Sequence, residues 1–162
     1  MKGADRYPTS KGFGEFPSGI RAAIVDVVRK HEASLRAIRN RKQVQSEDVL
    51  AILAKDLQKI GFGQAPRRFE LRTKAYEVDR FHKDIGVALE VEKGRVILGN
   101  QVYLDLFKFH VIPEVHYGAI ILPSISREDT ETPFDSASAI LELVGGGSRS
   151  GLNVEGLLLV GY

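Results

Sequence analysis

Four acidic residues in the middle of the chain stand in two pairs, Glu77 with Asp79 and Glu90 with Glu92. Side chains alternate across a β-strand, so residues two apart share one face. If the chain turns at residues 84–85, a hairpin sets Asp79 opposite Glu90 and Glu77 opposite Glu92. We therefore expect four carboxylates to crowd one patch of a sheet.

Such a patch would be stabilised by a bound cation, because like charges directly opposite each other destabilise a sheet. Hard cations such as Mg²⁺ take oxygen ligands, usually a few carboxylates with water and substrate phosphates. The alternative is a solvated strand face, since charged residues are mostly exposed. Val87, Leu89 and Val91 form an apolar face on the same strand, so the strand lies on a core. The pattern indicates a divalent-metal site facing a phosphodiester.

The stretch EVDRFHKDIGVALEVE resembles the PD-(D/E)XK nuclease signature, an Asp followed by Glu-x-Glu at the end of an apolar strand. It is most similar to the branch in which Glu replaces the usual Lys, as in BamHI- and BglII-like type II restriction endonucleases. The resemblance implies that Asp79 is the metal-binding Asp, Glu90 the second acidic ligand, and Glu92 the residue in the Lys position. Val78 stands where the motif has Pro.

On that resemblance the cofactor is Mg²⁺, for which Mn²⁺ can substitute, and the catalytic residues are Asp79, Glu90 and Glu92. The ligands would be the carboxylates of Asp79 and Glu90 with the carbonyl of Val91. A second ion would need one more acid, either Glu77 or Glu92. Glu92 would alternatively orient or deprotonate the attacking water. 

Several polar and basic residues flank these acids and are candidates for contacts with DNA. For each, ordinary surface placement or helix capping is the alternative. Asp84, a rival for the metal-binding Asp, is better explained as a turn residue. The candidates for nucleic-acid contacts are Arg80, Lys83, Lys93, Arg95, Asn100 and Gln101.

Composition narrows the class of protein. The chain has 162 residues, 43% of them hydrophobic and 27% charged, which fits one domain with a real core. It has no cysteine, which excludes disulfides, thiol nucleophiles and Cys-ligated zinc and favours a cytoplasmic location. No apolar run is long enough to span a bilayer, and the first residues lack the apolar core of a secretory signal. We expect no membrane association.

Charge is unevenly distributed along the chain. Residues 1–74 hold 16 Lys or Arg and 8 Asp or Glu, whereas residues 75–162 hold 7 and 13. A basic segment joined to an acidic one suits a metalloenzyme that binds a polyanion. Ordinary helix-surface charge would explain the same counts.

Periodicity and capping signals predict an α/β fold whose mixed sheet, an antiparallel hairpin followed by parallel strands, is flanked by helices. This arrangement resembles the core of the restriction-endonuclease fold. Residues 1–17 are predicted to be a flexible arm and 18–162 a single domain, with a helical layer over 18–61 and a catalytic core over 68–160. The predicted elements are helices over 19–40, 46–60, 100–112 and 132–143, and strands over 69–81, 85–92, 117–123 and 157–160.

Three functions fit these observations. The first is a metal-dependent DNA endonuclease of restriction type, with double-stranded DNA as partner and a homodimer implied by the family. The second is a non-catalytic nucleic-acid-binding protein on the same fold. The third is an unrelated interaction module, in which the carboxylates would be separated or salt-bridged.

Overall fold

The computed structural model describes residues 8–39, 41, 43–93, 100–124, 132–145 and 151–162. Seven strands and five helices lie within these residues. The strands are β1 (Thr9–Gly14), β2 (Arg67–Leu71), β3 (Lys74–Val78), β4 (Arg80–His82), β5 (Val87–Val91), β6 (Tyr117–Leu122) and β7 (Gly156–Gly161). The helices are α1 (Ser18–Lys30), α2 (Glu32–Arg39), α3 (Ser46–Lys59), α4 (Gln101–Val111) and α5 (Pro133–Gly145).

A five-stranded sheet in the order β1-β7-β6-β5-β4 forms the centre of the fold. Strands β5, β6 and β7 are parallel to one another, and the edge strands β1 and β4 run antiparallel to their neighbours. Strands β6 and β7 are apolar on both faces because helices cover both sides of the sheet. The predicted α/β fold with a mixed sheet flanked by helices is confirmed.

The hairpin that carries the acids has the predicted register. Strands β4 and β5 pair Arg80 with Leu89 and His82 with Val87. Gly86 adopts a φ of 76° in the connecting turn, a conformation that favours glycine. Continued by one position, this register sets Asp79 opposite Glu90.

The strand predicted over residues 69–81 is wrong. The chain turns at residues 72–73, so β2 and β3 pair only with each other in a separate two-stranded ribbon. Arg68 lies opposite Glu77 there. The chain then leaves the ribbon at Asp79 and enters the main sheet at Arg80.

The flexible arm predicted over residues 1–17 is wrong where the structure describes it. Residues 9–14 form β1, the edge strand beside β7, with Phe13 opposite Leu157. Lys11 also forms an ion pair with Glu142 of α5. This short, polar, glycine-containing segment forms a strand because the apolar strand β7 provides backbone partners for its hydrogen bonds.

The sheet separates two apolar cores. Helices α1, α2 and α3 pack on the face that carries Leu89 and Val91, and helices α4 and α5 pack on the face that carries Ala88. The helix predicted over 19–40 is two helices that meet at His31. Glu90 alternates with Leu89 and Val91, so it faces α4. None of the helices in the described ranges is both long and apolar enough to cross a bilayer.

Candidate active site

Two strands bring three of the predicted acids together. Glu90 and Glu92 share a face at the end of β5, and Asp79 precedes β4 at the position opposite Glu90. An oxygen of Asp79, Oδ2, accepts a hydrogen bond from the backbone N–H of Val91 over 2.7 Å. Asp79 and Glu90 are also electrostatic neighbours, because each carboxyl group acts on the other. The acids therefore converge on one side of the sheet.

Helix α4 adds a fourth acid and a cation. The Lys108 ammonium lies 2.7 Å from Glu90 Oε1 and 3.3 Å from Asp105 Oδ1. Asp105 also accepts a hydrogen bond from the side-chain amide of Gln101 over 3.2 Å. Glu92 belongs to the same cluster, because Asp105 is the neighbouring group that acts most strongly on its carboxyl group. Four carboxyl groups thus cluster near one ammonium, which is ion-paired with Glu90 and Asp105.

Burial makes this cluster costly to ionise. Glu90 is 4% exposed and Asp105 is fully buried. Burial, followed by the charges of Asp105 and Asp79, raises the pKa of Glu90 to about 9. Burial and the neighbouring Asp105 raise the pKa of Glu92 to about 8. Near neutral pH, both glutamates therefore hold protons more tightly than free carboxylic acids do.

The remaining members of the cluster are perturbed as well. Burial raises the pKa of Asp79, against the hydrogen bond from Val91, and burial raises the pKa of Asp105. For Lys108, burial opposes the charged form, but the nearby Glu90 and Asp105 outweigh it and raise the pKa. Lys108 is therefore the member of the cluster whose net pKa shift favours the charged form.

A cleft of about 390 Å³ opens onto these groups. Both the end of β5 and the first residues of α3 and α4 contribute to its wall. Lys93, at its edge, donates a hydrogen bond to Gln45 just before α3. The cleft is lined by Ser46, Glu47, Asp79, Glu90, Val91, Glu92, Lys93, Gln101 and Lys108.

The donor set of the cleft suits a hard divalent cation, because its ligand atoms are carboxylate and carbonyl oxygens. One buried oxygen of Asp105, Oδ2, has no hydrogen-bond partner among the described residues. Within the same residues, no three His, Asp or Glu side chains are already arranged to hold an ion. The ligand atoms are therefore of the kind that binds a hard metal ion. In this structure two of the acids, Glu90 and Asp105, are instead ion-paired with Lys108.

The structure does not bring Glu77 to the cluster. Glu77 is exposed on the β2–β3 ribbon, opposite Arg68. The expectation that it shares the patch is wrong because β3 pairs with β2 in a separate ribbon and not with β5. Asp105 of α4 takes the fourth acidic place instead.

The candidates for DNA contacts divide into three groups. Lys93 and Gln101 line the cleft, and Asn100 is exposed beside it with a left-handed backbone. Arg80 is buried and donates a hydrogen bond to the carbonyl of Asp79, so the prediction that it meets a ligand directly is wrong. 

Lys83 and Asp84 occupy the turn between β4 and β5, at the far end of the hairpin from Glu90. This position agrees with the interpretation of Asp84 as a turn residue, and it separates Lys83 from the cleft. Arg95 lies outside the described residues.

Sequence reasoning missed Asp105 and Lys108. Asp105 lies three residues after Val102 and four before Phe109, both of which are buried. An acid at that spacing must face the core side of its helix. Lys108 follows at three residues, where it meets both Asp105 and Glu90. The sequence did contain a signal for this site: Asp105 lies on the apolar face of the helix that follows Glu90 and Glu92.

Comparison with known proteins agrees with this geometry. Residues 8–140 match the family described as "Putative halobacteria restriction endonuclease", and this span contains all the acids of the cluster. No curated protein matches the chain. Because the match covers most of the sequence, the chain belongs to this family.

Proposed function

We propose that this protein is a divalent-metal-dependent endonuclease that hydrolyses phosphodiester bonds in double-stranded DNA. One observation carries the proposal: the carboxyl groups of Asp79, Glu90 and Glu92 line one cleft together with Lys108, whose ammonium is ion-paired with Glu90 and with the buried Asp105 behind it. Membership of a restriction endonuclease family supports DNA as the substrate.

The charge balance supports a metal. Lys108 can offset one negative charge, and the other carboxyl groups must either hold protons or meet another cation. Mg²⁺, with Mn²⁺ as a substitute, is the proposed cofactor because all the donors are oxygens. Asp79, Glu90 and the carbonyl of Val91 are the proposed ligands. 

A bound divalent ion would offset charge on the phosphate and make a bound water more acidic. The protein's own groups have separate tasks. Glu92 lies on the same strand face as Glu90, and its proposed role is to orient the attacking water or, once deprotonated, to accept its proton. Lys93 and Gln101 stand at the cleft, where they would contact phosphate oxygens. These roles correspond to the Glu-x-Glu branch of BamHI- and BglII-like enzymes.

A non-catalytic nucleic-acid-binding protein on the same fold is the second candidate. The ion pairs of Lys108 with Glu90 and Asp105 favour it, because they occupy two of the acids. In that case the protein would bind DNA in EDTA and would cut no strand in any divalent metal.

Incubation with supercoiled plasmid in Mg²⁺ or Mn²⁺ tests the proposal, with EDTA as the metal-free reference. Wild-type protein should nick or linearise the plasmid, and Glu90→Ala and Asp79→Asn should each abolish cleavage while circular dichroism remains unchanged. Glu77→Gln is the matched control, since this acid is exposed and lies off the cluster; it should cut normally. Full activity of Glu90→Ala or Asp79→Asn would refute the proposed site.

We also propose a homodimer, because a two-fold assembly matches palindromic DNA and places one cleft on each strand. Light scattering of the protein alone and with a short duplex would measure the mass of the assembly. A monomer in both conditions would contradict this part of the proposal.

A further inference from the structure

Lys108 occupies the centre of the acid cluster. Its ammonium contacts Glu90 and Asp105 together, and 22% of its side chain is exposed to the cleft. A lysine side chain is long and flexible, with a compact charge that carries no fixed ligand geometry. Lys108 is thus the internal counter-ion of two buried carboxyl groups that come from different elements, β5 and α4.

One buried oxygen of the cluster remains without a partner in the described part of the chain even with Lys108 in place. Asp105 is fully buried, and its Oδ2 has no hydrogen-bond partner in the described part of the chain. A buried polar atom without a partner costs free energy. No three acids of the described residues stand ready around a common ion position while Lys108 is bound to Glu90 and Asp105.

We infer that Lys108 and the divalent ion compete for the same carboxylates, so that metal binding displaces the ammonium from Glu90. This inference rests on the proposed function, since it assumes that Glu90 is a metal ligand. Two cations that share one carboxylate repel each other, which favours departure of the more flexible one. The freed ammonium remains tethered to α4 at the cleft, where phosphate oxygens of a nucleic acid are its natural partners.

Metal affinity in the absence of DNA tests the competition without relying on cleavage. Lys108→Met removes the competing charge and keeps a side chain of similar length. Titration calorimetry with Mn²⁺ should show about tenfold or more tighter binding to Lys108→Met than to wild type, as expected for loss of a nearby like charge. Lys55→Met, at an exposed site on α3, is the matched control and should bind like wild type.

A second measurement uses the wild-type protein, so it does not depend on the variant's folding. Amine acylation read by mass spectrometry should modify Lys108 slowly in EDTA and several-fold faster in saturating Mn²⁺, while Lys55 reacts equally in both. Unchanged or weaker Mn²⁺ binding by Lys108→Met, or equal labelling of Lys108 in both conditions, would overturn the inference. Wild-type protein that binds no Mn²⁺ would instead refute the proposed function itself.

Discussion

The carboxylate of Asp79 accepts a hydrogen bond from the backbone N–H of Val91 over 2.7 Å. This bond joins Asp79, which directly precedes β4, to β5, the strand that carries Glu90 and leads into Glu92. One oxygen of Asp79 is committed to this bond, and the other remains for a ligand. The hydrogen bond therefore fixes where Asp79 lies relative to Glu90. The carboxylate of Asp79 thus helps to keep β4 and β5, the two strands that form the site, in register.

The stability of the metal-free protein should fall as pH rises from about 5 to 9. The folded state raises the pKa of Glu90 to about 9 and that of Glu92 to about 8, from an ordinary 4.5. Between those values the folded state keeps protons that the unfolded state has released, so the free energy of unfolding decreases, by up to about 1.4 kcal/mol per pH unit for one group. Urea denaturation in EDTA at pH 6 and pH 8.5 measures the change.

Two comparisons isolate the glutamates in that experiment. Glu90→Gln should flatten the pH dependence, because the amide does not titrate. Saturating Mn²⁺ should also reduce the loss at pH 8.5, since metal binding requires deprotonated ligands and strengthens as pH rises. An identical pH dependence in wild type and Glu90→Gln would show that the buried glutamate does not retain its proton.

Gly86→Ala should destabilise the hairpin that carries the acids. Gly86 has a φ of 76°, and an added Cβ would meet the His116 ring and, at 2.9 Å, the carbonyl of Glu114. We expect a loss of at least about 1 kcal/mol in the free energy of unfolding. Gly19→Ala in α1, where a Cβ meets no atom within 4 Å, is the control and should be neutral or slightly stabilising. Equal stability of the two variants would contradict the strain assigned to this turn.

Asp56→Asn should lower the melting temperature at pH 7. Hydrogen bonds from Lys30 and Lys59, at 2.8 and 2.7 Å, and from His31 hold the pKa of Asp56 well below its usual range. This stability is present above the ordinary pKa of 3.8 and is lost as pH falls toward the folded pKa. The difference between wild type and variant, measured by thermal denaturation, should therefore shrink below pH 4. 

The control for that prediction is Asp26→Asn. Asp26 is exposed and pairs only with Arg29 on the same helix among the contacts described, and such a pair contributes little to stability. A melting temperature for Asp56→Asn equal to that of Asp26→Asn at pH 7 would mean that the Asp56 cluster does not join α1 to α3 energetically.

Lys93→Ala should weaken the binding of DNA in EDTA, and the loss of affinity should be the same for every DNA sequence. Lys93 lines the cleft, and loss of one phosphate contact reduces the slope of log K against log salt by about 0.9. Fluorescence anisotropy with two unrelated duplexes across a salt series measures both effects. Lys83→Ala is the comparison, because four residues of strand, about 13 Å, separate the Lys83 turn from Glu90. A larger effect of Lys83→Ala would place the DNA on the other end of the hairpin.

Much of the β4–β5 hairpin could be predicted from the sequence because its information is local. The alternation of Val87, Leu89 and Val91 determines which face Glu90 takes, and the turn determines its partner. The parallel order of the last strands also followed from the helices between them. 

What could not be predicted depended on tertiary contacts. The separation of Glu77 from the site follows from a turn at residues 72–73 in a stretch whose propensity is equally that of one long strand. The edge strand β1 has few apolar residues of its own, and it forms because its backbone pairs with that of β7. Asp105 joined the site only through the packing of α4 against β5 and its neighbours, although its helical spacing had placed it on the buried face.

Whether Asp79 and Glu90 hold a divalent ion can be determined by anomalous diffraction from a crystal soaked in Mn²⁺. We expect a manganese peak bounded by carboxylate oxygens of Asp79 and Glu90 and the carbonyl of Val91, and we expect that peak to be lost in Glu90→Ala crystals soaked identically. A peak elsewhere, with Lys108 still bound to Glu90 at saturating Mn²⁺, would contradict this expectation.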